Sequence, residues 1–237
     1  MALAPSQDAY GQILLALLAG REAHEIMERD DGLIYAGDPS DYLAPYRQWP
    51  AVEKRAMRFV RGRVLDVGCG GGRVSLHLQA RGHDVVAIDE SPLAVEVTRR
   101  RGVNDARTLS LSAVDRSLGL FDTVLILRNN LGLAGTARRS HRVLGRLAEL
   151  TTHRGRIVTD SVDPGRLTGT VSDGDPGAHR YRVRWAGYAT PWFRYLMVPP
   201  AGFDEVLAGS GWRVHRLIDD GSPRYAVVLE KAGADRR

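Results

Sequence analysis

The residues most able to do chemistry lie together in Val64-Leu65-Asp66-Val67-Gly68-Cys69-Gly70-Gly71-Gly72-Arg73. A short apolar run contains an acid, and glycines follow at Gly68, Gly70 and Gly72. The run before the turn and the helix-like Val74–Ala80 after it predict a buried strand, a turn almost bare of side chains, and a helix whose N-terminal amides face that turn. Glycine is required where the backbone takes a positive φ or a ligand comes against the main chain. The turn is therefore expected to hold a cofactor. A dinucleotide site wants G-x-G-x-x-G, and here Arg73 occupies the place of its third glycine. A phosphate-binding P-loop is excluded because no Gly-Lys-Ser/Thr follows. The Asp66 carboxylate, two residues before Gly68, would point at the loop; it suits a ligand carrying an ammonium group and is unhelpful beside a pyrophosphate.

The pattern acid-x-Gly-x-Gly-x-Gly resembles motif I of the class I S-adenosylmethionine (SAM)-dependent methyltransferases. The resemblance implies an α/β, Rossmann-like, seven-stranded, mostly parallel sheet with helices on both faces, and SAM as cofactor. It places Asp66, Gly68, Cys69, Gly70 and Gly72 against SAM, with Cys69 a small loop residue rather than a nucleophile. Asp89, ending the second strand, takes the position of an acid that accepts hydrogen bonds from ribose hydroxyls; the alternative is an acid serving the next helix N-terminus. Glu90 and Ser91 would border the adenine, Ser112 and Ala113 fall in the family's adenine loop, and Asp115 follows two residues later. Arg128 and Asn129 would line the methionine side, and Asn130 would face the acceptor. The other reading of the two amides is that they cap the loop and the following helix, because buried amides must find partners.

The resemblance implies methyl transfer by in-line displacement to an oxygen or nitrogen of a small molecule, as in biosynthetic tailoring, with catalysis mainly by positioning. A base is needed only if the acceptor must lose a proton, and His179 and Tyr188 are weak candidates. After Asn130 the chain lacks the Pro-Pro-aromatic tail of enzymes that methylate exocyclic amines of nucleobases. It also lacks the acid of metal-dependent catechol-type enzymes, and Asp160 with Asp163 does not make a carboxylate-rich Mg²⁺ site, so no metal is expected. An RNA methyltransferase and a non-catalytic SAM-binding protein are the alternatives, with a nicotinamide oxidoreductase further off.

Elements that must position these residues follow from periodicity. One or two amphipathic helices are expected over 8–29 and another around 50–60. Strands are expected at Val64–Val67, Asp84–Ile88, Arg107–Leu111, Phe121–Leu127, Gly155–Ser161, 212–219 and 224–230, with helices at about 136–151 and 201–210. Ser91 caps a helix that starts at Pro92. The whole chain reads as one domain, 1–237: an N-terminal helical cap to residue 60, a SAM-binding core at 61–161, a substrate-side insertion at 162–200, and a C-terminal helix with the last two strands at 201–237. The insertion begins Gly-, Asp- and Pro-rich. It continues with Arg180–Trp185 and Trp192–Val198, expected as two antiparallel strands covering the site. Arg180, Arg182 and Arg184 share one strand face, where they would bind an acidic substrate or blunt an exposed sheet face. Tyr35, Tyr42 and Tyr46 are further candidates for substrate contact, in a segment that the resemblance folds over the SAM pocket and whose aromatic faces suit a sulfonium; Trp192 of the insertion is another. Tyr42 and Tyr46, at i and i+4, are expected on one helical face, and Trp49 is expected in the core.

The 237 residues, with 43% hydrophobic and 26% charged, suit one large soluble domain. One cysteine excludes a disulfide framework and a thiolate metal cluster. The apolar segment Ile13–Leu18 is too short to span a bilayer and has no basic residue before it, so neither a membrane partner nor a signal peptide is expected, and the location is cytoplasmic. A formal charge of +5 raises nucleic acid as a partner. The basic residues are scattered, however, and no RNA-binding module is visible, which favours a small-molecule acceptor. The sequence does not set the oligomeric state.

Overall fold

A computed structural model describes residues 3–167 and 179–233. In chain order the elements are helix α1 (Ala9–Leu18), strands β1 (Glu25–Arg29) and β2 (Ile34–Gly37), α2 (Ala51–Ala56), β3 (Val64–Val67), α3 (Arg73–Gln79), β4 (Val85–Asp89), α4 (Pro92–Arg100), β5 (Ala106–Thr108), β6 (Phe121–Ile126), α5 (Ala137–Glu149), β7 (Thr151–Val162), β8 (Arg180–Trp185), β9 (Tyr188–Ala189), β10 (Phe193–Arg194), α6 (Phe203–Leu207), β11 (Trp212–Ile218) and β12 (Arg224–Lys231). The seven-stranded sheet has the order β11-β12-β7-β6-β3-β4-β5. Pairs β4–β5 and β6–β7 are parallel, and the last strands close antiparallel on β7. This is the Rossmann-like architecture that the resemblance implies. No helix among the described residues is long and apolar enough to cross a membrane.

The N-terminal region departs from the expected helices. The helix stops at Leu18, Gly20 takes φ 69°, and residues 25–29 form a strand. That strand sits between β2 and β8, with Ile26 opposite Ala36 and Arg184, and Glu28 opposite Ile34 and Arg182. Its main-chain bonds are thus made to a partner more than a hundred residues away, which local periodicity cannot register. A second sheet results, of order β10-β8-β1-β2 with β9 on β8. The expected strand over 192–198 shrinks to Phe193–Arg194. The main chain of Leu196 is used elsewhere, as described below. The Gly-rich start of the insertion, 168–178, lies outside the described residues.

Two compact units emerge. The first gathers described residues of Met1–Trp49, Asp66–Ala113 and His179–Phe193. In it α1 offers Ala9, Ile13 and Ala16 to Val183, Met27, Trp185 and Phe193 on one side. It offers Leu14 to Ala94 and Val97 of α4 on the other. Helix and helix touch closely at Gly11, where a Cβ would meet Leu93 Cβ at 2.6 Å.

The second unit gathers Pro50–Leu65, the described part of Val114–Ala178, and Arg194 onward. Its core is the apolar centre of β6, β7 and β12, including Leu125, Ile157 and Val228. Beyond β6 the chain makes a turn in which Arg128 and Asn129 both take left-handed φ, 64° and 57°. For L-residues this conformation costs roughly 1–2 kcal/mol each, less for Asn, so other contacts must hold it. The Asn129 amide N–H donates to Asp160 Oδ1, and Asp160 in turn pairs with Arg224 at 3.0 Å. The Asn129 side chain is 1% exposed. Its Oδ1 accepts from Ser161 Oγ and its Nδ2 donates to the Leu196 carbonyl, both at 3.1 Å. Leu196 N–H returns a bond to Gly132 O at 2.9 Å, and Tyr195 Oη donates to Arg128 O at 3.1 Å.

The Asn129→Ala variant removes the acceptor of the Ser161 hydroxyl and the side-chain donor to the Leu196 carbonyl, and keeps the backbone strain. The expected cost is about 2–4 kcal/mol in urea denaturation. The Asn129→Gly variant relieves the strain and is expected to be about 1 kcal/mol less destabilised than the alanine variant. Equal midpoints for the two would show that the turn carries no strain.

Candidate functional site

The glycine turn has the backbone that its spacing demands. Gly68, Gly70 and Gly72 take φ 70°, 54° and 73°. The amides of Gly68 and Cys69 donate to the Ile88 carbonyl at 2.8 and 3.0 Å, tying the turn to the end of β4. Thr98 Oγ1 of α4 donates to Gly70 O at 2.7 Å, and the Arg101 guanidinium bonds to Gly71 O and to Leu43 O. A side chain on Gly71 would strike Leu43, and one on Gly70 would stand 2.8 Å from Tyr10 Oη. The turn is a bare main-chain surface held from three sides. Arg73, in the place of a dinucleotide glycine, lies with its guanidinium 4.5 Å over the Trp49 ring.

Two carboxylates flank the turn. Asp66 is buried and accepts from Ser75 Oγ of α3. Asp89 is 8% exposed. Its Oδ2 accepts from Gly70 N and its Oδ1 from Ser91 N, each at 2.9 Å. An ionised carboxylate offers about four acceptor directions, so capacity for hydroxyl donors remains. Burial pushes the Asp89 carboxyl up to about 6; the two amides oppose that rise, and the nearby charges of Glu90 and Asp8 add to it. Burial drives the Cys69 thiol well up, so it stays a neutral packing group.

Glu90 is exposed beside Asp89. Ser91 caps α4 by accepting from Ala94 N at 2.9 Å, and its hydroxyl is given to Asp8 at 2.8 Å. Its side chain is thus spent inside the protein. Ser112 and Ala113 lie on a short 3-10 turn, where Ser112 Oγ is 2.9 Å from Ser110 Oγ. Asp115 caps the next turn through Ser117 N. In the second unit Arg128 and Asn130 are half-buried, and the Asn129 amide points inward as described.

Among the aromatic candidates, Tyr35 stands on β2 opposite Met27. Tyr42 donates its hydroxyl to Glu25 Oε2 at 2.7 Å and meets Tyr10 edge-on. Tyr46 stacks on His77 at 4.0 Å. Tyr42 and Tyr46 do not share a helical face: they lie on separate 3-10 turns, Pro39–Leu43 and Tyr46–Gln48, because Pro45 interrupts the chain between them. Trp49 is in the core, its indole N–H bonded to Ala44 O at 3.0 Å.

The three arginines of β8 are paired within the second sheet. Arg182 makes a two-pronged contact with Glu28 at 2.8 and 2.7 Å and lies 4.4 Å over Trp192. Arg184 shares Glu28 at 2.6 Å, and Arg180 reaches Asp30 at 3.1 Å. Those acids belong to β1 and the turn after it, so one strand read alone shows three free cations. His179 faces Asp30 at 3.2 Å, and Tyr188 packs beside Trp185.

Sequence reasoning missed Asp8, Tyr10, Thr98 and Arg101, all of which buttress the turn or Asp89. Only Asp8 carried a local signal, as a capping acid before an apolar-periodic stretch.

A family model described as a methyltransferase domain matches residues 64–155. A solved SAM-dependent methyltransferase from Bacteroides fragilis, in complex with S-adenosyl-L-homocysteine, is 26% identical, superposes with a TM-score of 0.83, and covers 98% of each chain. An uncharacterized methyltransferase of Mycobacterium tuberculosis is 30% identical over 151 residues, 54% of this chain. That match spans only 60% of the mycobacterial protein's length. A ubiquinone biosynthesis O-methyltransferase of Methylocella silvestris is 36% identical over 84 residues, 32% of this chain and 33% of its own. Residues 64–155 thus match a methyltransferase domain, and with its glycine turn and sheet order the chain has the fold of the class I SAM-dependent methyltransferases.

Proposed function

We propose that the protein binds SAM and transfers its methyl group to an oxygen or nitrogen of a small molecule. The observation that carries this reading is the turn of three left-handed glycines clasped to the buried Asp89 carboxylate. The residues fit the cofactor: a turn whose main chain is bare of side chains at Gly68, Gly70 and Gly72, and a carboxylate with acceptor capacity left for ribose hydroxyls. Bound SAM supplies a methyl group already activated by the sulfonium. The Gly68–Gly72 main chain and Asp66 hold its amino-acid part, Asp89 its ribose, and Glu90, Ser112 and Ala113 border its base. The chain's own contribution is alignment and exclusion of water, and alignment can supply roughly 7–11 kcal/mol of the barrier.

A small acceptor is supported by the way the positive charge is spent. Among the described residues Arg107, Arg166, Arg180, Arg182, Arg184, Arg213 and Arg224 each pair with a carboxylate of the same chain. These seven are neutralised where they stand and make no phosphate track; the formal +5 is carried by other residues. A cytoplasmic setting suits the single, buried cysteine.

Calorimetric titration tests the reading: S-adenosyl-L-homocysteine is expected to bind and NAD to give no heat. The reverse outcome overturns it, and steep salt-dependent binding of RNA would move the acceptor to nucleic acid.

The Asp89 carboxyl adds a pH signature. Hydroxyls donate to its ionised form, so a proton competes with the cofactor. Affinity is expected to fall as pH drops through about 6. For the ligand-free protein the sign is opposite. The raised carboxyl contributes stability below the usual carboxylate range, and that contribution is lost as pH rises through about 6. The Asp89→Asn variant is expected to bind more weakly by about 1.5–3 kcal/mol at neutral pH, the value of a hydrogen bond to a charged group. It should also lose the pH dependence. An unchanged affinity would remove Asp89 from the ribose site.

A further inference from the structure

Asp8 lies before α1, more than fifty residues ahead of the glycine turn, yet it is fully buried. Its carboxylate accepts from Gly11 N at 3.0 Å, from Ser91 Oγ at 2.8 Å on each oxygen, and from Leu93 N at 3.3 Å. No cation accompanies it among the described residues. A charge in that position is costly. Capping alone does not call for it, since Asn or Ser caps a helix equally well. The same serine also serves the cofactor-side carboxylate. Ser91 N donates to Asp89 Oδ1, and Asp89 Oδ2 takes the Gly70 amide. A continuous line of hydrogen bonds therefore runs from the N-terminal helix through Ser91 and Asp89 to the glycine turn. Gly11, where a side chain would strike Leu93, lets α1 approach closely enough to make that line, and two residues after Asp8 the Tyr10 hydroxyl stands beside Gly70.

We propose that Asp8 is a positioning residue for the cofactor: acting through Ser91, it holds the Asp89 carboxylate in place for the ribose hydroxyls and makes cofactor binding depend on the docked N-terminal helix. This rests on the SAM reading of the site. The charged and titratable groups around Asp89 are Asp8 from α1, Glu90 from the end of β4, and, across the Cys69 thiol, Asp66 from β3. All the carboxylates carry the same sign. Removing the charge at Asp8 therefore eases ionisation of Asp89 and shifts its pH midpoint downward.

The test is calorimetric titration of the full chain with S-adenosyl-L-homocysteine between about pH 5 and 8, with thermal unfolding alongside, a range that brackets the Asp89 transition. Asp8→Asn keeps cap and shape. Its affinity near pH 8 is expected to stay within about threefold of wild type, while its pH midpoint falls. Asp8→Ala and Ser91→Ala are each expected to lose about tenfold in affinity, and the double variant no more than either alone, because they interrupt one line. An unchanged midpoint in Asp8→Asn, unchanged affinity in a folded Asp8→Ala, or additive losses would overturn the proposal. If Asp8→Ala does not fold, Asp8→Asn and Ser91→Ala decide it. Failure of the wild type to bind the ligand at any pH would instead sink the SAM reading itself, and the proposal with it.

Discussion

The contact on which the first unit depends is the acceptance of the Gly70 and Ser91 amides by one buried carboxylate, Asp89. It fixes the glycine turn to the end of a strand and to the start of the next helix at once. A neutral acceptor could bridge the same two amides. The carboxylate does it with stronger bonds, at the expense of burying charge. That conflict is visible in a carboxyl pushed up by burial to about 6. A group poised in this way is characteristic of binding sites and uncommon in inert turns.

The second unit solves a related problem with different means. A turn with two consecutive left-handed non-glycine residues is unfavourable by itself. The carboxylate of Asp160, the hydroxyl of Ser161 and the main chain of Leu196 compensate for it. The two amides singled out from sequence thus divide their roles: the Asn129 side chain works inside the protein, whereas Asn130 stays half-buried at the turn's surface. The capping reading does not hold for Asn129, whose side chain makes no cap bond to the following turn and reaches Ser161 and Leu196 instead.

Charge gave the sequence its most misleading signal. Three arginines spaced by two on a strand look like an anion site when read alone. The acids that neutralise them, Glu28 and Asp30, lie some 150 residues away in the chain. The same distance hides the strand character of residues 25–29, whose partner strand β8 is as remote. Proline, by contrast, acts locally. Pro45 alone is reason to keep Tyr42 and Tyr46 off one helix, and that signal was available in the sequence.

The sequence by itself determined the glycine turn, its buried strand, the acid at the end of β4 and the alternation of strands and helices. Each of these is set by neighbours within a few residues, through φ, periodicity and burial. Only the tertiary structure decided what holds the turn in place: Asp8 and Tyr10 from the N-terminal helix, Thr98 and Arg101 from α4 and just after it, and the pairing of the β8 arginines with β1. Those contacts depend on chain segments meeting across tens to more than a hundred residues. Hydrogen-bond partnership at that separation leaves no trace in composition or spacing.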